Sequence, residues 1–313
     1  MDTRKLVDRE LLAAIELFPP LDLDRMPLAD LRVEMGAMFP ALESLANNDV
    51  SLDVVTVPAA GEGPAIEVIL HRPRNVADPL PLFLHIHGGG FVLGAAIMAS
   101  PANIDVARRV GCVVASVEYR LSPHATGPEP VEDCYRALTW LHAHADQFGI
   151  DRTRIAIGGE SAGAGLSAAL ALMVRDRHEY QLCLQLLLCP MLDDRTGDNH
   201  PFCGEFVWTA PTNRIAWATR IGEYIIANDT SGYIASARAE SLEGLPPAYI
   251  CVGALDLFLE EDLEYARRLA RAGVPVEFHV WPGAYHGFEL AADAALTRRA
   301  LDERIAALTR AFS

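Results

Sequence analysis

A serine, an aspartate and a histidine stand in sequence contexts typical of serine nucleophilic catalysis. Ser161 lies in the stretch GESAG, Asp256 in ALDLF and His286 in YHGF. A serine hydroxyl is a weak nucleophile until an imidazole accepts its proton, and the imidazole needs a carboxylate to fix its tautomer and stabilise its charge. The GxSxG pattern between a strand-like and a helix-like run is typical of a sharp turn that exposes the serine hydroxyl. We therefore predict a catalytic triad of Ser161, Asp256 and His286.

Three consecutive glycines follow His87 at the end of another strand-like run. Glycine packs poorly in a sheet, but its backbone N–H is unhindered and can approach a ligand closely. When the serine attacks a carbonyl group, the carbonyl oxygen takes a negative charge that fixed N–H donors stabilise. The pattern therefore predicts an oxyanion hole made by the N–H groups of Gly88, Gly89 and Ala162.

Further side chains near these groups are assigned supporting roles. We expect the ring of His87 to hold the glycine loop in shape through a hydrogen bond, and Glu260 to support Asp256. Two roles are open for Glu160: a buried, hydrogen-bonded carboxylate that orients the turn at the serine, or a carboxylate that tunes the field of the site. Three aromatic residues are predicted to pack a helical region on the core and in part to line an apolar acyl pocket: Phe206, Trp208 and Trp217.

The elements that must hold these groups together begin near residue 50. Short β-branched runs bounded by turn residues predict eight strands, at residues 53–57, 65–71, 82–86, 112–118, 154–157, 183–189, 248–252 and 276–281. Apolar strands that alternate with helices indicate a mostly parallel sheet covered on both faces, with an antiparallel start. Ligands bind at the carboxyl ends of the strands of such sheets, and the candidate groups fall there.

Helices are predicted where apolar residues recur at helical spacing. One such stripe consists of Leu259, Leu263, Ala266 and Ala270. Two helix-like regions, residues 1–45 and 200–235, do not fit the alternation of strands and helices.

Composition and charge exclude several classes of partner. The 313 residues carry a net charge of −16, which repels nucleic acid phosphates and anionic lipid surfaces. The six cysteines form no CxxC pair, which favours a reducing compartment and argues against a structural zinc site. The N-terminal stretch lacks the features of a targeting signal, and no run of residues is long and apolar enough to span a bilayer. We therefore expect a cytoplasmic protein that binds neither nucleic acid nor membranes.

The motifs together resemble the bacterial members of the hormone-sensitive lipase group of α/β-hydrolase esterases. The resemblance rests on HGGGF (87–91), VEYRLSP (117–123), GESAG (159–163), MLDDR (191–195) and YHGF (285–288). It implies the α/β-hydrolase fold, with a mostly parallel eight-stranded sheet flanked by helices. It also implies a helical cap formed by residues 1–45 and 200–235, over a catalytic core of residues 46–199 and 236–313. The chain departs from the commoner pattern at Glu160, where aspartate is usual.

The same resemblance implies a serine carboxylesterase that hydrolyses short- to medium-chain carboxylic esters through an acyl-enzyme intermediate. It implies no cofactor and no metal, and a homodimer paired through the edge of the last strand. Two alternative functions are compatible with the same fold: an amidase or formamidase with the same triad, and a ligand receptor that does not hydrolyse its ligand.

Overall fold

A single eight-stranded sheet runs through the computed structural model, which describes residues 3–18, 20–45, 47–60, 63–77, 79–197, 200–222 and 231–313. Its strands are β1 (Val50–Val57), β2 (Ile66–Pro73), β3 (Leu80–Ile86), β4 (Val113–Val117), β5 (Ile150–Glu160), β6 (Leu184–Leu188), β7 (Ala248–Gly253) and β8 (Val276–Trp281). All eight predicted strands are confirmed, although β5 begins at Ile150 rather than at Arg154.

The strands lie in the order β1-β2-β4-β3-β5-β6-β7-β8. β2 pairs antiparallel with β1 and β4, and every other neighbouring pair is parallel. The predicted mostly parallel sheet with an antiparallel start is therefore confirmed. β8 lies at the sheet edge, where the expected homodimer would pair, and that dimer stays a prediction.

Helices cover both faces of the sheet. In the described residues they are α1 (Leu12–Leu17), α2 (Leu28–Gly36), α3 (Ser100–Val106), α4 (Glu129–Ala143), α5 (Ala145–Phe148), α6 (Ala162–Arg177), α7 (Ala210–Ile221), α8 (Leu259–Arg271) and α9 (Ala295–Ala311). Alternate residues of β3 enter two separate apolar clusters. Leu82 and Leu84 pack in the cluster that contains residues of α4, α6 and α8, whereas Phe83 packs with residues of α3 and α9. Burial on both faces explains why the central strands are apolar throughout.

The buried face of α8 differs from the predicted stripe. The helix is present, and Ala266 of the stripe is buried, but Leu263 is 45% exposed, while Asp262, Tyr265 and Leu269 also face the core. The apolar pattern therefore predicts the helix correctly and its buried face only in part.

The two helix-like regions that interrupt the alternation contact each other. The N–H and hydroxyl of Thr3 donate to the carboxylate of Glu205, at 2.9 and 2.5 Å. The N–H of Leu21 donates to the carbonyl of Val207 at 2.9 Å, and the hydroxyl of Thr212 donates to the carbonyl of Leu21 at 2.5 Å. These bonds join the predicted halves of the cap, of which residues 223–230 lie outside the described residues. Within the described ranges, no helix has the length and apolar character that a membrane crossing requires.

Helix α6 approaches the end of β3 closely at Gly163, where there is no room for a side chain. A Cβ added to Gly163 would lie 2.0 Å from the carbonyl oxygen of Ile86 and 2.5 Å from that of His87. We expect Gly163→Ala to lower the free energy of unfolding in urea by about 1–3 kcal/mol, since the backbone must shift. Gly36→Ala is the matched control, because a Cβ there meets no atom within 4 Å. Equal stability of the two variants would contradict this close packing.

Candidate active site

The nucleophile candidate sits on a strained turn between β5 and α6. Ser161 adopts φ 55° and ψ −120°, a backbone conformation that residues other than glycine rarely take. Its N–H donates to the carbonyl of Leu188 at 2.8 Å, and its carbonyl accepts the N–H groups of Gly165 and Met191, both at 3.0 Å. Backbone strain of this kind persists only where the surroundings fix it, and it concentrates at functional sites.

The structure brings the three predicted triad side chains into one hydrogen-bonded chain. Nε2 of His286 lies 3.0 Å from Oγ of Ser161, and Nδ1 of His286 lies 2.9 Å from Oδ2 of Asp256. All three side chains are buried. The carboxylate accepts a hydrogen bond from Nδ1–H, which leaves the Nε2 lone pair directed at the serine hydroxyl. The second oxygen of Asp256 accepts the N–H of Phe258 at 3.0 Å, which fixes the carboxylate in place.

Opposing effects set the pKa of His286. Burial lowers the pKa, but the charge of Asp256, its hydrogen bond and the charge of Glu289 together raise it above its ordinary value. The aromatic rings of Phe258 and Trp208 lie near the imidazole, with ring centroids 5.1 and 6.2 Å from it. The imidazole is therefore a stronger base than a free histidine side chain.

The glycine loop requires a correction to the predicted oxyanion hole. The N–H of Gly88 already donates to Oε1 of Glu160 at 3.0 Å, so it is not available to an oxyanion. The N–H groups of Gly89 and Gly90 meet no acceptor among the residues that the structure describes. The same holds for Ala162, the first residue of α6, because the first N–H groups of a helix have no partner within it. We therefore replace Gly88 with Gly90 and keep Gly89 and Ala162.

Glu160 links the serine turn to the glycine loop. Besides Gly88, its carboxylate accepts Nε2–H of His85 at 2.8 Å, and Nδ1 of that ring lies 3.0 Å from the hydroxyl of Ser116. Burial raises the pKa of Glu160, but His85 and the Gly88 N–H outweigh it and lower the pKa below the ordinary value. The contacts favour the orienting role over a role in tuning the field.

His87 makes the contact expected of it. Its Nδ1 lies 2.8 Å from the carbonyl oxygen of Gly88, and its ring stacks on Tyr119 with centroids 4.3 Å apart. The Tyr119 hydroxyl donates to the carbonyl of His87 at 3.0 Å. Burial lowers the pKa of His87 to about 4, so the ring is neutral and holds the loop rather than titrating with the triad.

One of the three predicted pocket aromatics contacts the triad through its ring. Trp208 lies near His286, and its indole N–H donates to Oδ1 of Asn213 at 3.1 Å. Phe206 packs on Tyr285 and Trp217 packs on Phe91, with ring centroids 5.7 and 5.1 Å apart. These contacts show that Phe206 and Trp217 pack on neighbouring aromatic rings, and their part in lining an acyl pocket stays a prediction.

The support predicted from Glu260 for Asp256 stays a prediction, and the neighbouring Glu261 holds a different part of the site. Glu260 is exposed, whereas Glu261 is buried and accepts the N–H groups of Leu192 and Asp193, at 2.6 and 3.3 Å. This bond holds the segment that follows β6, and Met191 of that segment donates to Ser161. The consecutive acids of α8 gave no sequence signal for which one faces inward. Glu289 also raises the pKa of His286 through its charge. The sequence gives no signal for this role, because Glu289 lies three residues after the histidine in no recognised motif.

Residues 83–290 match the family described as the alpha/beta hydrolase fold. The chain belongs to this family. The esterase LipI of Mycobacterium tuberculosis is 34% identical over 277 residues, which cover 85% of each chain. The carboxylic ester hydrolase LipN of the same organism is 32% identical over 269 residues, which cover 83% of this chain and 70% of that protein.

Solved structures give the same result. A bacterial heroin esterase superposes with a TM-score of 0.92 at 39% identity, over 99% of both chains. The esterase LipW from Mycobacterium marinum superposes with a TM-score of 0.86 at 30% identity, over 99% of this chain and 98% of that one. The family match and these relatives confirm the predicted α/β-hydrolase fold and the predicted class of carboxylic ester hydrolase.

Removal of the Glu160 carboxylate is expected to damage the glycine loop. Glu160→Ala leaves the Gly88 N–H and the His85 N–H without an acceptor, and a buried unsatisfied donor costs about 1–3 kcal/mol. We expect lower stability in urea and a lower kcat on a nitrophenyl ester, with a smaller effect on KM. Glu260→Ala removes an exposed carboxylate from the neighbouring helix and serves as the control. Matching kcat and stability in the two variants would show that Glu160 does not hold the loop.

The acid limb of the pH–rate profile reports the basicity of His286. Because only the neutral imidazole accepts a proton, kcat/KM falls as pH falls through the His286 pKa, which we expect above the ordinary value of about 6.5. Glu289→Gln removes a negative charge that stabilises the imidazolium, so the midpoint of this limb should move to lower pH. Glu260→Gln is the control. A midpoint unmoved by Glu289→Gln, or moved to higher pH, would contradict this electrostatic account.

Proposed function

We propose that the chain is a serine carboxylesterase for short- to medium-chain carboxylic esters, with Ser161 as nucleophile. The observation that carries this proposal is the continuous chain from Ser161 Oγ through His286 to Asp256, with separations of 3.0 and 2.9 Å. The sequence and structural similarity to named esterases supports this proposal.

In the first half-reaction, Ser161 Oγ attacks the ester carbonyl carbon while Nε2 of His286 takes the hydroxyl proton. Asp256 stabilises the imidazolium that forms. The carbonyl oxygen becomes an oxyanion that accepts the N–H groups of Gly89, Gly90 and Ala162. Each such donor contributes about 3 kcal/mol to lowering the barrier.

Collapse of the tetrahedral intermediate completes acyl transfer. The bond to the alcohol oxygen breaks, and the alcohol leaves with the proton from Nε2 of His286. Water then attacks the acyl group on Ser161 with His286 again as base, which forms a second oxyanion in the same site. The acyl–Oγ bond breaks, Nε2 of His286 returns the proton to Oγ of Ser161, and the carboxylic acid leaves.

The proposed preference for shorter acyl chains rests on Trp208. A Cβ added to Gly90 would lie 2.2 Å from the indole, so this ring lies directly against the oxyanion loop. The same ring is 6.2 Å from that of His286, between centroids. A large, rigid ring beside both the base and the oxyanion donors limits the space for the acyl chain.

We also propose a reducing compartment, the cytoplasm, as the place of action. All six cysteines are free in the structure, and most of them are buried. Buried, unpaired thiols are typical of proteins that fold where disulfides do not form.

Ser161→Ala tests the proposed reaction directly. We expect nitrophenyl butyrate hydrolysis to fall by a factor of about 10⁴ or more, because the oxyanion donors alone retain little catalysis. The wild-type chain should also cleave the butyrate ester faster than the decanoate ester, and faster than the matched nitroanilide. Retained turnover in Ser161→Ala would refute the nucleophile, and preference for the anilide would favour the amidase alternative.

A further inference from the structure

Beside the triad lies a thiol that the proposed reaction does not use. Cys189 follows β6 directly, and its N–H donates to the carbonyl of Cys251 at 2.6 Å, which places it at the carboxyl edge of the sheet. Its side chain is buried, and among the described residues its sulfur has no hydrogen-bond partner. A buried sulfur without a partner beside charged groups is available to a ligand.

The sulfur, a carboxylate oxygen of Asp256 and a ring nitrogen of His286 all lie within 4.8 Å of one another. Thiolate, imidazole and carboxylate are the three ligand types that zinc and related cations take from proteins. At the usual bond lengths of about 2.0–2.3 Å, tetrahedral ligand atoms lie about 3.3–3.8 Å apart. The widest separation between ligand atoms therefore needs to shorten by about 1.0–1.5 Å at most to enclose such an ion.

The charge balance also fits a buried ion. A divalent cation bound by one thiolate, one carboxylate and a neutral imidazole makes a group of zero net charge, which avoids the large cost of burying an unbalanced charge. Three protein ligands leave the fourth tetrahedral position open to water.

We propose that Cys189, Asp256 and His286 form an inhibitory site for a thiophilic divalent cation such as Zn²⁺ or Cd²⁺. The existence of the site rests on geometry, and its inhibitory effect rests on the proposed function of His286 as base. A metal–sulfur bond forms as the S–H bond breaks, and that proton goes to solvent. The cation takes the Nδ1 lone pair, and the Nδ1 proton passes through water to Nε2. Oxidation states do not change.

Inhibition follows from the tautomer that the ion imposes. In the metal-free site Asp256 holds the proton on Nδ1, and Nε2 accepts from Ser161. With a cation on Nδ1 the proton resides on Nε2, which then has no lone pair for the serine proton. The ion thus occupies the position of the proton on which the triad depends, without blocking the oxyanion donors.

Other groups serve as internal controls. Cys183 precedes the opposite end of β6 and donates to the carbonyl of Ile155 at 3.2 Å, so it tests for non-specific thiol binding. The other candidate metal-binding group among the described residues is Glu277, His279 and Glu303, which contains no sulfur. His279→Ala removes its imidazole and leaves the triad intact.

The first test measures ester hydrolysis against Cd²⁺ concentration, with each variant normalised to its own metal-free rate. We expect wild type, Cys183→Ser and His279→Ala to be inhibited alike and to recover on chelation. Loss of outer-shell partners alone weakens metal sites about 10–100-fold, so Cys189→Ser should raise the half-inhibitory concentration by about 100-fold or more. Equal inhibition of Cys189→Ser and wild type would overturn the proposal.

The second test detects the ion without relying on hydrolysis. Titration of Ser161→Ala with Cd²⁺ should produce the ultraviolet charge-transfer band of a cadmium–thiolate bond at one equivalent. The band should disappear in Ser161→Ala/Cys189→Ala and weaken in Ser161→Ala/His286→Ala. Absence of the band refutes the site, and a band without inhibition of wild type refutes the inhibitory effect. If wild type proves not to be an esterase, the band still decides whether the site exists.

Discussion

The turn at Ser161 is the constraint on which the rest of the site depends. A side chain at φ 55° costs about 1–3 kcal/mol relative to an ordinary conformation, and the turn persists because its backbone bonds to β6, to the segment after β6 and to α6. The turn directs the serine hydroxyl at His286 and places the free N–H of Ala162 beside it. Close packing at Gly163 then brings the start of α6 against the end of β3, so the oxyanion loop after β3 and the nucleophile after β5 are held close together.

Glu160 extends this constraint to the oxyanion loop. Glu160 is the last residue of β5, and its carboxylate accepts hydrogen bonds from the Gly88 N–H and the His85 ring. The residue before the nucleophile therefore fixes the first glycine of the loop, while the next two N–H groups have no acceptor within the described part of the chain. A loop of three glycines gains a rigid anchor in this way without a side chain that would crowd the substrate.

Local patterns allowed much of this arrangement to be predicted from the sequence. The eight strands, the turn at Ser161 and the histidine after β8 each depend on a few neighbouring residues, and such signals survive in a single sequence. The choice between Gly88 and Gly90 depends on where the side chain of residue 160 reaches, which is a tertiary contact. The choice between Glu260 and Glu261 depends on the rotation of α8, and its apolar residues indicate the buried face only in part because buried carboxylates at Glu261 and Asp262 break the pattern. The sequence carries no signal that Cys189 lies beside Asp256, because this proximity comes from strand order alone.

A crystal structure of the Ser161 adduct with a small alkyl phosphonate tests the central claim most directly, because the phosphoryl oxygen occupies the position of the oxyanion. We predict that this oxygen lies about 2.7–3.1 Å from the nitrogens of Gly89, Gly90 and Ala162. We also predict that the Gly88 N–H remains bonded to Glu160. A phosphoryl oxygen bound by the Gly88 N–H with Glu160 displaced, or one directed away from the glycine loop, would contradict these predictions.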